Sequence, residues 1–276
     1  MFETTKTIYS SMLEQCQKKQ QVYTPMAYST LNELFSVQPD ATYPNGTYPQ
    51  NHYVAAGRGA HLWRQTTDNK TAIGTAVHSP TDAALYEHIP FIIRPVSNDL
   101  TVAERTGYGM RTLITVSGVD YFAYYLKRIP FDTALPIVEI VTTIDGVSTS
   151  EEYTATSSQL HPTAIATDAN AIVVGQTLAS VATNSEFVIT ASDVAEMMEA
   201  CLTIYGDPGL AVISEMAVVQ AVPTQVDSTL GGINITYEEA VGAQIAAHVP
   251  VMVVLEITSR GFRQTYSEAT DVPLRS

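Results

Sequence analysis

Between Arg128 and Arg260 the chain carries no lysine or arginine, yet the same stretch holds 16 aspartates and glutamates. Across the whole chain the strong surface helix formers Lys and Arg are scarce, a composition that suits strands better than helices. The acids of the stretch read as solvated, or as facing a basic partner or a polyanion. Over all 276 residues, 14 Lys and Arg oppose 28 Asp and Glu, a formal net charge of −14, and charged residues make up only 15%. A globular domain usually has about 25%. The surface must therefore be wetted largely by Thr, Ser, Asn and Gln, and the β-branched Thr and Val suit a pleated surface.

The cations that exist cluster earlier. Arg58 to Arg128 is close to neutral, with Arg94, Arg105, Arg111 and Lys127 set against Asp99, Glu104 and Asp120. The acidic second half reads either as a solvated surface or as an electrostatic face that docks a basic neighbour or repels a polyanion. Carboxylates such as Glu139, Glu151, Glu186, Glu215 and Glu256 are then expected to face an open lumen or a partner's cations. Specific nucleic-acid binding is not expected, because affinity for phosphates comes from Lys and Arg.

At 45% hydrophobic residues the chain has enough apolar surface to fold. The fold class expected is α+β, predominantly antiparallel β with a few short helices, N-terminal helices and an extended arm. Residues 1–59 are assigned to the helices and the Tyr/Pro-rich arm, and residues 60–276 to a β-rich main domain. No apolar run approaches the roughly 20 residues of a membrane-spanning helix, so no membrane partner is expected. The start, Met1-Phe-Glu-Thr-Thr-Lys6, lacks the basic and apolar regions of a secretory signal.

Local signals place the elements. Glu3 to Gln20 has a helical apolar stripe, and Thr24-Pro25 resembles a second helix start. Val37 to Gly59 has no period, and its tyrosines are either buried under the domain or, as favoured here, packed on a neighbouring subunit. Strands are predicted at Thr71 to His78 and Phe91 to Arg94, with a capped turn at Ser79-Pro-Thr-Asp82 between them. Thr101-Val-Ala-Glu104 is a capping box that opens a short helix.

Tyr108 to Val116 and Tyr121 to Arg128 read as one hairpin. Ile137 to Ile144 and Val147 to Thr154, joined by Asp145-Gly146, read as another. Short strands follow at Ile172 to Val174 and Phe187 to Ile189, then a helix capped by Ser192 and stopped by Gly206. Leu210 to Val222 is strand-like, Thr236-Tyr-Glu-Glu239 resembles a capping box opening a helix to about Ala247, and Val251 to Thr258 reads as a buried strand.

No constellation in the sequence assigns chemistry. His52, His61, His78, His88, His161 and His248 show no zinc-type spacing, and Cys16 and Cys201 are expected as ordinary reduced thiols. There is no Gly-x-Ser-x-Gly elbow, and Gly57-Arg-Gly59, Gly107-Tyr-Gly109 and Gly231-Gly232 read as turn chemistry. Glu151-Glu152 would point to opposite faces of a strand, and Glu238-Glu239 is attributed to the capping box. Asn45-Gly-Thr47, Asn69-Lys-Thr71 and Asn234-Ile-Thr236 read as chance sequons. No catalytic, cofactor-binding or metal-binding residue is assigned, and no cofactor.

The segment Phe91 to Phe131, with its Thr101-Val-Ala-Glu-Arg105 core and Tyr-Tyr-Leu-Lys-Arg128 end, resembles a stretch of uncharacterised virion proteins of large tailed bacteriophages. The resemblance covers only about 40 residues and no active site. It implies a structural rather than enzymatic role, in a tail, neck or baseplate ring or connector. The implied partners are copies of itself and other virion proteins, and the implied location is the virion, after synthesis in the host cytoplasm. A receptor- or glycan-binding β-domain is the alternative.

Overall fold

The computed structural model describes residues 4–65, 70–130, 135–161, 176–229, 234–254 and 261–273. The described elements run β1 (Thr5–Lys6), α1 (Ile8–Lys18), α2 (Leu31–Phe35), β2 (Gln50–Gly57), β3 (His61–Gln65), β4 (Lys70–Thr75), β5 (His88–Ile89) and β6 (Ile92–Pro95). They continue with α3 (Val102–Arg105), β7 (Tyr108–Val116), β8 (Val119–Arg128), β9 (Ile137–Ile144), β10 (Val147–Glu152), β11 (Gln176–Thr190) and α4 (Ala191–Tyr205). The last three are β12 (Val212–Ser228), β13 (Ile235–Val254) and β14 (Gly261–Pro273). This is an α+β fold dominated by antiparallel strands. No described helix is long and apolar enough to cross a membrane.

The chain divides into two compact units. The first comprises Met1–Asp132 and Val188–Phe262, and the second Thr133–Phe187 and Arg263–Ser276. In the first, an eight-stranded sheet follows the order β1-β13-β12-β2-β8-β6, with β5 on β2 and β7 on β8. β3 and β4 form a separate pair. In the second, the order is β10-β9-β11-β14.

Strand alternation sends successive residues of β8 to opposite faces of the large sheet. Phe122 and Tyr124 pack with Ile92 and Leu100. Ala123 packs with Ile93 and Ala200, against which Tyr121 and Tyr125 also lie. Ala200 comes from α4, so that helix covers one face. Leu31 of α2 and Val37 join Tyr53, Leu126, Val219 and Ile245 in a further core cluster. Many of the strand positions are alanine, among them Ala55, Ala217, Ala221, Ala240 and Ala243, and their small side chains let covering segments come close to the sheet.

Helix ends follow local chemistry. The predicted capping box at Thr101 and Glu104 starts α3. α4 stops at Gly206, whose φ of 78° is left-handed, but its cap is Thr190 paired with Asp193, two residues before the expected Ser192. Such a cap contributes about 1 kcal/mol. The second helix starts not at Thr24-Pro25 but at Thr30, whose hydroxyl and Glu33 form a capping box. The side chain of Thr7 caps α1, accepting from the Ser10 N–H, and its hydroxyl donates to the Ile245 carbonyl at 2.6 Å.

Two expectations need correction. Gln50–Gly57, assigned to the arm, is β2, which lies between β12 and β8 inside the sheet. The arm tyrosines make contacts within their own chain: Tyr53 is buried, Tyr43 donates to the Tyr23 carbonyl at 3.3 Å, and Tyr48 to that of Gln21 at 2.9 Å. The helix expected from Thr236 to Ala247 is instead part of β13, which pairs with β12 from Ser228↔Ile235 to Val212↔Val254. Both predicted hairpins are present, with left-handed turn residues Ser117 and Gly118 (φ 52° and 80°) and Asp145 and Gly146 (φ 50° and 79°). The expected strand at Ile172 to Val174 lies outside the described residues.

In the second unit, Ile137, Val138, Ile140 and Val141 of β9 remain only half-buried, although consecutive residues face opposite sides of the sheet. Every residue of β10 is exposed.

Candidate functional site: a buried histidine and carboxylate cluster

The residue that organises the densest polar cluster of the first unit is Glu215 on β12, of which only 1% is accessible. It sits opposite Gly57 of β2, at a place where the β12–β13 register shifts between Ile213 and Glu215. Its Oε1 accepts from the N–H of Gly59 at 2.9 Å and of Glu87 at 3.2 Å. Its Oε2 accepts from the Tyr86 N–H at 3.0 Å and meets His78 Nε2 at 2.7 Å. One carboxylate thus fastens the end of β2 and the segment 78–87 to β12. Burial alone would raise its pKa; the bonds from His78 and three backbone amides outweigh burial and leave it below the ordinary carboxylate range.

His78 lies between two carboxylates, because its Nδ1 is 3.0 Å from Asp82 Oδ2. Asp82 in turn closes the predicted turn by accepting from the Ser79 N–H at 2.9 Å. The ring is sandwiched between Tyr86 at 4.1 Å and His248 at 3.9 Å, both nearly parallel to it.

Two more histidines, His88 and His248, border this arrangement, and burial lowers the pKa of each. His248 of β13 has Nε2 3.1 Å from the Asp82 carbonyl, which assigns the proton to that nitrogen, and its Nδ1 is buried without a hydrogen-bond partner. Burial, then the neighbouring His78, push its pKa down to about 4. His88 accepts at Nε2 from the Leu85 N–H at 3.1 Å, and its Nδ1 is likewise buried and unpartnered. Part of that residue reaches the surface, but its ring lies edge-on to Phe35, and burial pushes its pKa down to about 4. His61, also buried, is lowered by burial as well.

A second buried carboxylate repeats the device. Glu239 of β13 accepts from Met110 N–H at 2.7 Å, Ala240 N–H at 2.8 Å and Arg111 N–H at 3.2 Å. Met110 is held at a left-handed φ of 54°. Burial dominates here and raises the carboxyl pKa despite these amides. Beside it, the buried Arg111 guanidinium lies 3.4 Å over the Phe122 ring and donates to Asp99 at 2.8 Å, and Asp99 also accepts from the Tyr124 hydroxyl at 2.7 Å.

The lone pairs of Glu215 and Glu239 are filled largely by backbone donors, so both carboxylates fasten the chain. Sequence reasoning assigned none of these residues. Glu215 was expected on a lumen or a partner but is buried. Glu186 meets its own chain's Arg263 at 3.2 Å, Glu139 is half-buried on β9, Glu151 and Glu152 are exposed on β10, and Glu256 lies outside the described residues. Glu238 pairs with Arg128 at 2.5 Å while Glu239 is buried, so strand alternation rather than a cap explains that pair.

Gly57-Arg-Gly59 is more than turn chemistry. A Cβ on Gly57 would lie 2.7 Å from both Glu215 Oε1 and the Glu87 carbonyl, and one on Gly59 would lie 2.5 Å from Tyr86 Cβ. Gly231-Gly232 lies outside the described residues. Both cysteines are free thiols, and burial raises the Cys201 pKa to about 11. Among the described residues, no three His, Cys, Asp or Glu are arranged to hold a metal ion.

The first-half cations find acids within the second half: Arg94 with Glu196 at 2.6 Å, Lys127 with Asp193 at 2.6 Å, and Arg128 with Glu238. Elsewhere an open cleft of about 410 Å³ is lined by Tyr23, Tyr43, Asn32, Glu33, Gln38 and Asp40 among others.

Fold and cluster together define an antiparallel β protein whose buried carboxylates fasten loops to a large sheet. The chain belongs to DUF7208, a family of unknown function whose profile matches residues 2–275. No curated protein and no solved structure matches it.

Proposed function

We propose that this chain is a structural subunit of a tailed-phage virion, a tail, neck or baseplate ring or connector component that acts through protein–protein contacts. The observation that carries the assembly part is the second unit's sheet. Its apolar β9 residues stay half-buried on both faces and its edge strand β10 is wholly exposed. A sheet normally buries at least one apolar face, so surface of this kind favours a partner. The resemblance of residues 91–131 to virion proteins supports the particle context. Exposed Ile8, Met12, Val22, Met26, Tyr28 and Leu34 on the N-terminal segments add apolar area for contact.

The test is mass spectrometry of density-purified particles from the virus that encodes the chain. Digestion should use a protease that cuts at acids, because trypsin has no site between Arg128 and Arg260. Peptides at a fixed stoichiometry to known virion proteins are the expected result, and their absence overturns the reading. The cleft between Tyr23 and Tyr43 favours the alternative of a glycan-binding β-domain, since rings flanked by amides and carboxylates suit a sugar. That alternative gains if the protein is missing from particles and is retained on an immobilised glycan through Tyr43.

A further inference from the structure

We infer that β10 is a self-pairing edge, along which two copies of this chain join antiparallel about a two-fold axis at Ser150. The inference deepens the subunit reading and rests on it only for the expectation that copies meet.

The backbone geometry fixes which groups are open. The two-residue turn Asp145-Gly146 makes Ile144 and Val147 the closing pair, and the register runs unbroken to Glu152↔Glu139. In such a hairpin the closing pair exchanges hydrogen bonds and the pairs then alternate. Val147, Thr149 and Glu151 therefore turn their N–H and C=O groups toward β9, and the Tyr153 N–H continues the alternation by donating to the Val138 carbonyl at 2.8 Å. Ser148, Ser150 and Glu152 turn theirs outward. Among the described residues no strand pairs with that side, and β10 ends the sheet order.

Proteins usually protect such an edge with charged side chains, above all lysine, or with proline, a bulge or a very short strand. β10 is Val-Ser-Thr-Ser-Glu-Glu, with two acids toward its end but no lysine, no proline and no break in register. Its side chains are complementary to their own two-fold image. With Ser150 opposite Ser150 of the second copy, Ser148 faces Glu152 and Thr149 faces Glu151. Each carboxylate thereby meets a hydroxyl donor, and no acid faces an acid. Val147 meets Tyr153, a β-branched and aromatic pair of the kind that stabilises cross-strand contacts.

Other registers lose this match. Centring on Glu151 or Glu152 places like charges opposite one another, and centring on Thr149 sets Val147 against Glu151. The Ser150 register forms about six new backbone hydrogen bonds across the seam. Val147, 67% exposed, is covered by the aromatic ring opposite. The contact closes on itself as a pair, so any ring built from such pairs uses other surfaces for its remaining contacts.

The experiment uses the full chain. Wild type should show a monomer–dimer equilibrium in sedimentation velocity over a concentration series. Ser150→Pro removes an outward N–H but no bond to β9, so it should leave the circular dichroism unchanged and weaken association by at least about tenfold. In a Cys16→Ser background, Ser150→Cys should give a disulfide-linked dimer on mild oxidation. A hydrogen-bonded pair holds its Cα atoms about 5.5 Å apart, within disulfide range. Ser148→Cys in the same background should not cross-link, because its image lies about four residues away along the strand.

A wild type that stays monomeric at all concentrations overturns the contact and leaves the particle experiment untouched. Undiminished association of Ser150→Pro overturns it too. So does cross-linking of Ser148→Cys as readily as Ser150→Cys, a result that holds even if the proline variant fails to fold.

Discussion

Acidification from pH 7 to pH 5 should destabilise the protein through two rings, His88 and His248. Both have folded pKa values near 4 against an ordinary value of 6.5. The folded state therefore binds fewer protons than the unfolded chain between those values, so stability is full above about pH 6.5 and falls as pH drops toward 4. At pH 5 an unfolded histidine is almost wholly protonated and a folded one with these values about one-tenth so. The loss is about 2 kcal/mol per ring, or about 4 kcal/mol for both if they act independently.

The groups facing them bear on the sign. His78, stacked on His248, lowers the pKa of that ring, whereas Asp82 and Glu215 favour a charge there less strongly than burial opposes it. Glu215, held low, contributes stability that is lost only below the ordinary carboxylate value of 4.5, outside this window. Glu239, held high, acts oppositely, since the folded state takes up its proton first as pH falls. Urea titrations followed by far-UV circular dichroism at pH 7, 6 and 5 measure the slope. His248→Leu should lower stability at pH 7 but remove its own share of the pH dependence, about 2 kcal/mol between pH 7 and pH 5. A wild-type profile flat over this range, or equal slopes in wild type and variant, would refute the reasoning.

Glu215→Gln keeps the size of the side chain but presents an NH₂ to backbone donors, and should cost about 3 kcal/mol or more, read as a lower urea midpoint. Gly57→Ala forces a methyl group against Glu215 and the Glu87 carbonyl, and should cost about 1–3 kcal/mol. Gly107→Ala meets only the Glu104 carbonyl at 3.3 Å and should change stability far less in the same assay.

What could be read from sequence was what is decided locally. The Asp145-Gly146 turn, the Thr101–Glu104 box and the Gly206 stop all act within a few residues, and each forms as expected. The error at β13 has the same origin: Thr236-Tyr-Glu-Glu239 followed by alanines satisfies a helix locally, and only the long ladder with β12 overrides it. Gly242, at a left-handed φ of 62° in the middle of that segment, was the one local sign against a helix. The buried cluster joins residues from 59 to 248 and has no spacing to read. A fainter signal was present: Glu215 stands alone in Ala-Val-Ile-Ser-Glu-Met-Ala-Val-Val, and His248 in Ile-Ala-Ala-His-Val. A polar group isolated in such a run is buried and must find donors or acceptors nearby.

The central position of β2 sets a schedule for synthesis. β2 is complete at Gly57, but β12, its neighbour on one side, begins only at Val212. At roughly 5–20 residues per second, the ribosome needs on the order of 10–30 s to deliver it. Within that interval β8 is completed at Arg128 and can take its place on one side of β2, while nothing from β12 is there for the other. A polypeptide stopped before Asp193 keeps Arg94 and Lys127 but has neither of their acids. Incomplete chains are thus chemically distinct from finished ones, with exposed apolar surface and an unpaired strand edge, the features that make chaperones necessary.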